Sequence, residues 1–383
     1  MNSESGQTSR VPKVLVIAPS LDMLGGQSRQ CARLLARLKE ESSLYVEFLP
    51  VNPRLPKPFQ FLQKIKYSRT IFTTLYYWLL LLSKAWRFDV LHIFSASYYS
   101  YMLSAMPPVL LGKILGKKTI LNYRSGEADD HLTNWRTAIP SMKKADVIVT
   151  PSGYLVDVFS RYNLKARFIY NIIELDRFTF RDRSPLRPVF LTTRLLEPLY
   201  NVPCVLRAFK LIQDKYPQAS LTVGGEGFMR EELEQLARDL ELKNTTFIGG
   251  TKFEEMPSLY DSADVYLTAT NLDNMPSSIT ECLAAGLPVV TTNAGGIPYI
   301  VTHEKTCLMV EINDHQAMAE SAIRFLENEE LTRNITREGR EHSRQWTWEA
   351  VRDEWVKLYH ELANNNAELK EEKEKLKSRL QTN

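Results

Sequence analysis

Short apolar segments rich in β-branched residues alternate with amphipathic segments along most of the chain, and this alternation limits the folds open to it. Strands are predicted at residues 14–17, 45–49, 89–93, 119–123, 145–149, 189–193, 221–223, 246–250, 265–267 and 289–292. Strands that alternate with helices predict an α/β protein with parallel, doubly wound sheets. A chain of 383 residues is long enough for two such domains. The charged, proline-containing segment 181–188 is predicted as the linker between them.

The stretch Tyr266–Val301 carries the densest local pattern, and it predicts strand, loop, helix, strand, turn and helix in that order. Pro276 followed by Ser277 and Ser278 indicates a helix start, because Pro suits an early helical position and Ser can accept from unpaired N–H groups. Gly286 indicates the end of that helix. A turn and a further helix are expected to follow the next strand.

Two carboxylates flank the start of this predicted helix. Asp273 lies in the preceding loop and Glu281 lies within the first turns. The N–H groups of Ser277, Ser278 and Ile279 would attract an anion, whereas the carboxylates would accept from hydroxyls of the same ligand. A diphosphate between two hydroxyl-rich groups, as in a nucleotide sugar, fits this arrangement. An ordinary strand–helix unit with a solvated loop fits the pattern as well.

Glycine turns follow several predicted strands in both halves of the chain. Ligands bind at the carboxyl ends of parallel strands, and glycine lets backbone N–H groups approach a phosphate closely. We therefore assign Gly25, Gly26, Gly225, Gly250 and Thr251 to binding of the nucleotide or its phosphates. No GxGxxG sequence is present, which disfavours a dinucleotide site.

Arg194 directly follows the predicted strand 189–193. A guanidinium at the carboxyl end of a strand suits a diphosphate, because its planar fork bonds two oxygens at once. The alternative is a surface ion pair with Glu197.

Composition narrows the possible partners and cofactors. The net charge of +3 is too small to indicate nucleic-acid binding. The four cysteines have no CxxC spacing and predict buried thiols in a reducing cytoplasm. The first twelve residues are polar, so we expect no signal peptide. No Asp-x-Asp sequence is present, so we expect no bound metal and no cofactor apart from a nucleotide co-substrate.

The segment 54–88 combines basic, aromatic and apolar residues. Five basic residues precede the apolar run Leu75–Leu82, namely Arg54, Lys57, Lys64, Lys66 and Arg69. The run is shorter than the ~20 apolar residues that a membrane-spanning helix needs. The composition favours contact with an anionic membrane surface. The alternative is that the run is core and the basic residues are solvated.

The C-terminal part is predicted to be helical. Residues 346–363 carry an apolar stripe made by Val351, Trp355, Leu358 and Leu362. The tail 364–383 is rich in Lys and Glu, with leucines at near-heptad spacing, and is expected to form a frayed, exposed helix. We expect a monomer or a weak dimer.

Asp273, the seven residues that follow it, Glu281 and the sequence CLAAGLPVVTTNAGG together resemble the Glu-x7-Glu signature of retaining family-four glycosyltransferases of the GT-B fold. The resemblance covers about residues 13–362 and implies two Rossmann-like domains that face a cleft. It implies that Glu281 binds the nucleotide ribose and that Asp273 faces the donor sugar. The chain departs from the pattern where Asp273 replaces the first Glu and where Tyr299 replaces a frequent Glu.

The resemblance also implies roles for the parts of the chain. Residues 13–180 would form the acceptor-side domain, residues 189–345 the nucleotide-sugar domain, and residues 346–363 a helix that crosses back to the first domain. Arg194 matches a family arginine, whereas the lysine expected five or six residues later is missing. A family histidine has no firm counterpart, since Arg124 stands near its place and His131 further on.

The predicted function is retaining, metal-independent transfer of a sugar from a nucleotide diphosphate to an acceptor hydroxyl. The acceptor is unknown and plausibly lipid-linked, in cell-surface polysaccharide or glycolipid synthesis, with the protein cytoplasmic or peripheral on the inner membrane face. Two alternatives stay open: a nucleotide-sugar epimerase or hydrolase, and an inactive sugar-nucleotide-binding protein. Asp273 and the missing lysine motivate the second alternative.

Overall fold

The computed structural model describes residues 11–22, 25–65 and 68–381, with side chains described as far as Asn365. Two compact units make up the chain. The first contains Met1–Pro151, Val156–Ile169 and Val351–Asn383, and the second contains Ser152–Leu155 and Tyr170–Ala350.

The first unit is built on a six-stranded parallel sheet with the order β2-β1-β3-β4-β5-β6. Its strands are β1 Lys13–Ala18, β2 Tyr45–Pro50, β3 Val90–Ser95, β4 Lys118–Tyr123, β5 Val147–Thr150 and β6 Ala166–Phe168. The central strands β1, β3 and β4 are almost entirely buried, which explains why they are continuous apolar runs instead of alternating ones.

Helices connect these strands and cover the sheet. They are α1 Gly26–Glu40, α2 Ser68–Ala85, the single turn α3 Tyr98–Ser100, α4 Met106–Leu115, α5 Ala128–Asn134, α6 Ala138–Met142 and α7 Gly153–Arg161. A π-helical turn at Tyr101–Ala105 joins α3 to α4, and a 3₁₀ segment at Lys57–Lys64 precedes α2. Gly116 ends α4 in the left-handed conformation that favours glycine.

The second unit contains another six-stranded parallel sheet, in the order β12-β11-β10-β7-β8-β9. Its strands are β7 Val189–Thr193, β8 Ser220–Gly224, β9 Thr245–Gly249, β10 Val265–Thr268, β11 Val289–Thr292 and β12 Leu308–Val310. Its helices are α8 Val202–Lys215, α9 Arg230–Asp239, α10 Met256–Ser262, α11 Ser277–Ala284, α12 His315–Glu327 and α13 Glu329–Ser343. Two parallel α/β sheets with flanking helices confirm the predicted fold class.

Local sequence accounts for several helix ends in this unit. The Asp314 carboxylate accepts from the Ala317 N–H at 2.8 Å and caps α12, and the Asn328 side chain caps α13 in the same way. Gly286 follows α11 with a positive φ, and a Cβ there would lie 2.7 Å from the Phe180 ring. The expected helix after Gly295 and Gly296 is only a 3₁₀ turn.

The segment 181–188, expected as the linker, lies within the second unit and packs there through its arginines. The buried Arg183 guanidinium donates to the carbonyls of Tyr260, Ala263 and Ala285. Arg187 forms an ion pair with Asp264. These contacts attach the segment to the second unit, and the change of unit comes earlier, between Ile169 and Tyr170.

The last helix, α14, runs over Trp348–Gln381, and its residues from Val351 onward belong to the first unit. Val351, Trp355, Leu358 and Leu362 are all buried. Trp355 stacks on His92 at 4.9 Å between ring centroids, and the Tyr359 hydroxyl lies 2.7 Å from Nδ1 of His92. The leucines of the expected tail, from residue 369 onward, have side chains outside the described part.

The four cysteines are buried and free, as predicted. Among the described residues, none of the helices combines the length and the apolar character required to cross a membrane.

Candidate functional site

The carboxyl ends of β7, β8, β9 and β10 lie side by side at one edge of the second sheet, because these strands are parallel and neighbours. The predicted site residues of the second half follow these four ends. Sheet order therefore brings together loops that are far apart in the sequence.

Arg194 leaves the end of β7 with a side chain that is 9% exposed. Its Nη1 donates to Ser278 Oγ at 3.0 Å, and its Nη2 donates to Oδ2 of Asp273. The guanidinium carbon lies 4.4 Å from the centroid of the Tyr200 ring. Burial acts to lower the pKa of Arg194, but the Asp273 carboxylate outweighs it and the pKa is raised. The group is a permanent cation held by three neighbours.

Asp273 follows β10 and is 19% exposed. Its Oδ2 accepts from Arg194, and its Oδ1 accepts from the Asn274 N–H at 2.8 Å. The ion pair of Arg194 is with Asp273, and not with Glu197 as in the alternative that the sequence left open. A ligand anion that approaches Arg194 therefore competes with a carboxylate that already pairs with the guanidinium.

The start of α11 brings Ser278 to the same place. The residue before the helix is Pro276, whose side chain makes no capping hydrogen bond. The Ser278 hydroxyl accepts from Arg194 instead of capping the helix as the sequence pattern predicts. An uncapped helix start beside a buried cation presents partial and full positive charge to one place.

Glu281 lies one turn further along α11 and is 1% exposed. Its Oε2 accepts from the Tyr260 hydroxyl at 2.9 Å. Burial, with the Glu281 carboxylate as the next contribution, raises the pKa of Tyr260 well above its ordinary value, so the phenol remains a donor. The phenol thus orients the carboxylate from α10.

The glycines after β8 have a packing role that the sequence did not indicate. Gly225 has a φ of 137°, and a Cβ at that position would lie 1.8 Å from the Arg194 carbonyl oxygen. A Cβ on Gly227 would lie 2.2 Å from the Leu196 carbonyl oxygen. Glycine is therefore required for the loop after β8 to contact the loop that carries Arg194.

Gly295 and Gly296 allow a similarly close contact between the turn after β11 and the loop that carries Asp273. Their Cβ atoms would lie 2.4 Å from the Asp273 carbonyl oxygen and 2.1 Å from that of Asn274. The Gly296 N–H donates to the Asp273 carbonyl at 2.7 Å. The turn after β11 thus holds the loop that carries Asp273.

The other predicted glycines fall into two groups. Gly250 lies against Glu226 of the β8 loop, where a Cβ would lie 2.9 Å from Oε1, and Thr251 is next to it. Gly25 and Gly26 lie at the start of α1 in the first unit, and no atom lies within 4 Å of a Cβ at either position. The surroundings of Gly25 and Gly26 are open.

Sequence reasoning assigned no role to Tyr200 or Tyr260. Tyr200 stands where the resemblance places a lysine, and its ring lies beside Arg194. Tyr260 precedes Glu281 by 21 residues on another helix. Only the hydrogen bond of Tyr260 and the ring contact of Tyr200 show their relevance, since nothing in the local pattern distinguishes them from core aromatics.

In the first unit, Arg124 and His131 follow β4. Arg124 Nη1 donates to Asn122 Oδ1 at 3.2 Å. His131 is buried with Nδ1 at 3.0 Å from the Tyr123 hydroxyl, and burial lowers its pKa to about 4. Among the described residues no group of three or more His, Cys, Asp or Glu is placed to hold a metal ion.

Comparison with known proteins gives a family match over most of the second unit. Residues 176–342 match the family model described as "Glycosyl transferases group 1". That range contains Arg194, Asp273, Ser278 and Glu281.

Curated relatives are 21–28% identical to this chain over the matched residues. N-acetyl-alpha-D-glucosaminyl L-malate synthase of Bacillus anthracis is 24% identical over 59% of this chain and 62% of its own length. GDP-mannose-dependent alpha-(1-6)-phosphatidylinositol monomannoside mannosyltransferase of Mycobacterium tuberculosis is 28% identical over 45% of this chain and 47% of its own. The chain thus spans from about half to three fifths of the length of these two relatives.

Solved structures match over much more of the chain. Anabaena HepE in complex with UDP gives a TM-score of 0.72 at 16% identity and covers 90% of this chain and 99% of its own. Sucrose-phosphate synthase of Thermosynechococcus elongatus gives a TM-score of 0.70 at 17% identity. The match covers 92% of this chain and 99% of the synthase chain. The chain therefore has the GT-B fold, and its residues 176–342 match the glycosyl transferases group 1 family.

Proposed function

We propose that the protein transfers a sugar from a nucleotide diphosphate donor to an acceptor hydroxyl, with retention at the anomeric carbon and without a metal ion. The observation that carries the proposal is the buried Arg194 guanidinium beside the uncapped start of α11. Both lie in the part of the chain that matches the glycosyl transferases group 1 family.

The donor class is supported by charge and by the neighbours. Arg194 supplies a full positive charge with several donors, and the start of α11 supplies backbone N–H groups at Ser278 and Ile279. The HepE structures contain UDP and UDP-glucose. A nucleotide sugar has the two negative phosphates and the hydroxyls that this arrangement matches.

In the proposed reaction the acceptor oxygen forms a bond to the anomeric carbon as the bond from that carbon to the phosphate oxygen breaks. The departing phosphate oxygen takes the proton of the acceptor hydroxyl, on the same face of the sugar. Negative charge therefore grows on the diphosphate. Donors aimed at that charge lower the barrier, which is the role of Arg194 and of the α11 N–H groups.

The two carboxylates have separate proposed roles. Glu281, oriented by the Tyr260 hydroxyl, accepts from the ribose hydroxyls. Asp273 faces the donor sugar and modulates the charge of Arg194. Gly225, Gly250 and Thr251 would approach the nucleotide through their backbone.

The acceptor is proposed to be lipid-linked and the protein peripheral on a membrane. One relative has a name that includes a phosphatidylinositol glycolipid. The basic and apolar residues of the first unit, described below, support the same proposal.

The test is incubation of the purified chain with a panel of nucleotide sugars and a lipid extract, with products identified by mass spectrometry and anomeric configuration by NMR. We expect a glycosylated product that keeps the donor configuration, in unchanged yield when a chelator is added. Arg194→Ala serves as the inactive control. An inverted product, or a loss of activity that Mg²⁺ restores, would refute the mechanism. Free sugar without acceptor would indicate a hydrolase.

A further inference from the structure

Positive charge in this chain is concentrated in one region. Residues 48–126 contain eleven Lys and Arg and a single acidic residue, Asp89, although the whole chain carries only +3. Arg54, Lys84 and Lys118 pair with acidic residues outside the region, and positive charge still exceeds negative charge there. Excess charge of one sign over a large part of one unit predicts attraction to a surface of the opposite sign.

One face of α2 within this region is apolar and exposed. It consists of residues three or four positions apart, which share one side of a helix. They are Ile71, Phe72, Leu75, Trp78, Leu79, Leu82 and, one residue past the helix end, Trp86. Leu79 is 64% exposed and Leu82 57% exposed. We call these seven residues the outer stripe.

A second apolar stripe on the same helix already packs in the core. Tyr77, Leu81 and Ala85 are buried, and the Tyr77 hydroxyl donates to the Ser104 carbonyl at 2.7 Å. The alternatives of core and surface for the run Leu75–Leu82 are therefore both partly right, since Leu81 is core and Leu79 is surface. The buried residues attach the helix to its unit, and Leu79 and Leu82 face away from that contact. Large exposed apolar patches on a folded protein mark interaction sites.

The two tryptophans of the outer stripe have their polar atoms satisfied. Trp78 Nε1 donates to the Leu103 carbonyl at 3.1 Å, and Trp86 Nε1 donates to the Ser83 carbonyl at 2.9 Å. Either ring can enter an apolar medium without leaving its own N–H unpaired. Amphipathic aromatic rings of this kind favour the level of the lipid headgroups.

Basic side chains accompany the outer stripe. Lys57 and Lys64 lie in the 3₁₀ segment joined to α2 by the bond from Gln63 Nε2 to Thr73 Oγ1 at 3.0 Å, and Arg69 lies in the first turn of α2. No ion pair links Lys57, Lys64 or Arg69 to an acidic side chain in the described ranges. Lys66, which the sequence also assigned to this group, lies outside the described residues.

We propose that the first unit docks on an anionic lipid bilayer, with α2 lying in the plane of the surface and the outer stripe inserted among the acyl chains near the headgroups. A second copy of this chain is the less fitting occupant, because the basic side chains that accompany the outer stripe would repel those of the other copy. An anionic surface matches the charge, and its interior matches the stripe. This inference rests on the proposed function in one respect: docking would bring the enzyme to the proposed lipid-linked acceptor.

The experiment is flotation of the full chain with vesicles of phosphatidylcholine, alone or mixed with phosphatidylglycerol in equal amounts. We expect binding only to the mixed vesicles, weakened by salt. Lipids brominated on the upper acyl chain should quench tryptophan fluorescence, and Trp78→Phe/Trp86→Phe should abolish most of that quenching. Absence of binding at low salt, or full quenching in the double variant, would overturn the proposal.

The outer stripe is tested directly by Leu79→Gln/Leu82→Gln, with Leu211→Gln/Phe228→Gln in the second unit as the matched control. Phe228 is 79% exposed, so both pairs replace surface residues. We expect at least about tenfold weaker vesicle binding for the first pair and native binding for the control. Unchanged circular dichroism and UDP affinity would show that fold and donor site are intact. Native vesicle binding by the first pair, or loss of a dimer in place of lipid binding, would refute the docking surface.

Sugar transfer and lipid docking can fail separately. A chain that floats with anionic vesicles but transfers no sugar contradicts the proposed sugar transfer and leaves the docking surface intact. A chain that glycosylates a soluble acceptor and ignores vesicles contradicts the docking surface and the proposed lipid-linked acceptor, and leaves sugar transfer intact.

Discussion

Asp273→Asn should strengthen the binding of UDP. In the native protein Asp273 occupies Nη2 of Arg194, the cation proposed to bind the diphosphate. Asparagine has the same shape, and its oxygen can still accept from the Asn274 N–H. The substitution therefore removes the negative charge that competes with the ligand. It preserves the hydrogen bond that orders the loop.

The magnitude follows from burial. The two side chains are 9% and 19% exposed, so the ion pair is shielded from water and its charge-assisted hydrogen bond contributes about 1.5–3 kcal/mol. Part of that free energy opposes the diphosphate in the native protein. If the substitution removes about 1.4 kcal/mol of that opposition, the dissociation constant of UDP falls about tenfold. We therefore expect UDP to bind about tenfold more tightly to Asp273→Asn, and sugar transfer to slow because the carboxylate that faces the sugar is gone.

Titration calorimetry with UDP, or with the tightest binder of a nucleoside diphosphate panel, measures the effect. Asp214→Asn is the matched control, since it removes one charge from an exposed pair with Lys210 in the same unit. The control should bind like the native protein. Equal or weaker UDP binding by Asp273→Asn would show that Asp273 does not compete for Arg194, and the proposed charge balance of the site would be wrong.

Three further outcomes are expected. Glu281→Gln should weaken donor binding at least about tenfold, because an amide oxygen accepts more weakly than a carboxylate, and native affinity in a donor titration would remove Glu281 from the site. Gly225→Ala should destabilise the protein by ~3 kcal/mol in urea unfolding, since its Cβ would overlap the Arg194 carbonyl, whereas Gly116→Ala, with nothing within 4 Å, should cost only ~1 kcal/mol. Burial lowers the pKa of His92 to about 3 and that of His131 to about 4, so below pH 6.5 the unfolded chain binds protons that the folded chain does not. Stability should therefore fall as the pH falls, by up to ~1.4 kcal/mol per pH unit for each histidine, and His92→Gln should remove one histidine's share of that slope in denaturation measured from about pH 6.5 to 5.5.

The local pattern predicted strand positions well where apolar and β-branched residues form a continuous buried run. β7 and β11 begin and end where they were predicted, because a proline precedes and a polar residue follows each run of apolar and β-branched residues. β6 and β12 are three residues long and lie at sheet edges, where so short a run gives no recognisable signal.

The apolar run Leu75–Leu82 shows a limit of sequence reasoning. A helical period identifies which residues share a face but does not show which face meets the core. Packing of Tyr77 against the chain near Ser104 decides this, and it leaves Leu79 exposed.

The residues themselves determined the chemistry available at the candidate site: a guanidinium after one strand, a carboxylate after another and a second carboxylate on a helix with an uncapped start. Their partners were decided by the order of strands in the second sheet. β7 and β10 are neighbours, so Arg194 meets Asp273 across 79 residues of sequence, and α10 brings Tyr260 to Glu281. Local spacing carries information about a residue's own helix or strand, whereas contacts between elements depend on which strands pair, and only the tertiary structure contains that order.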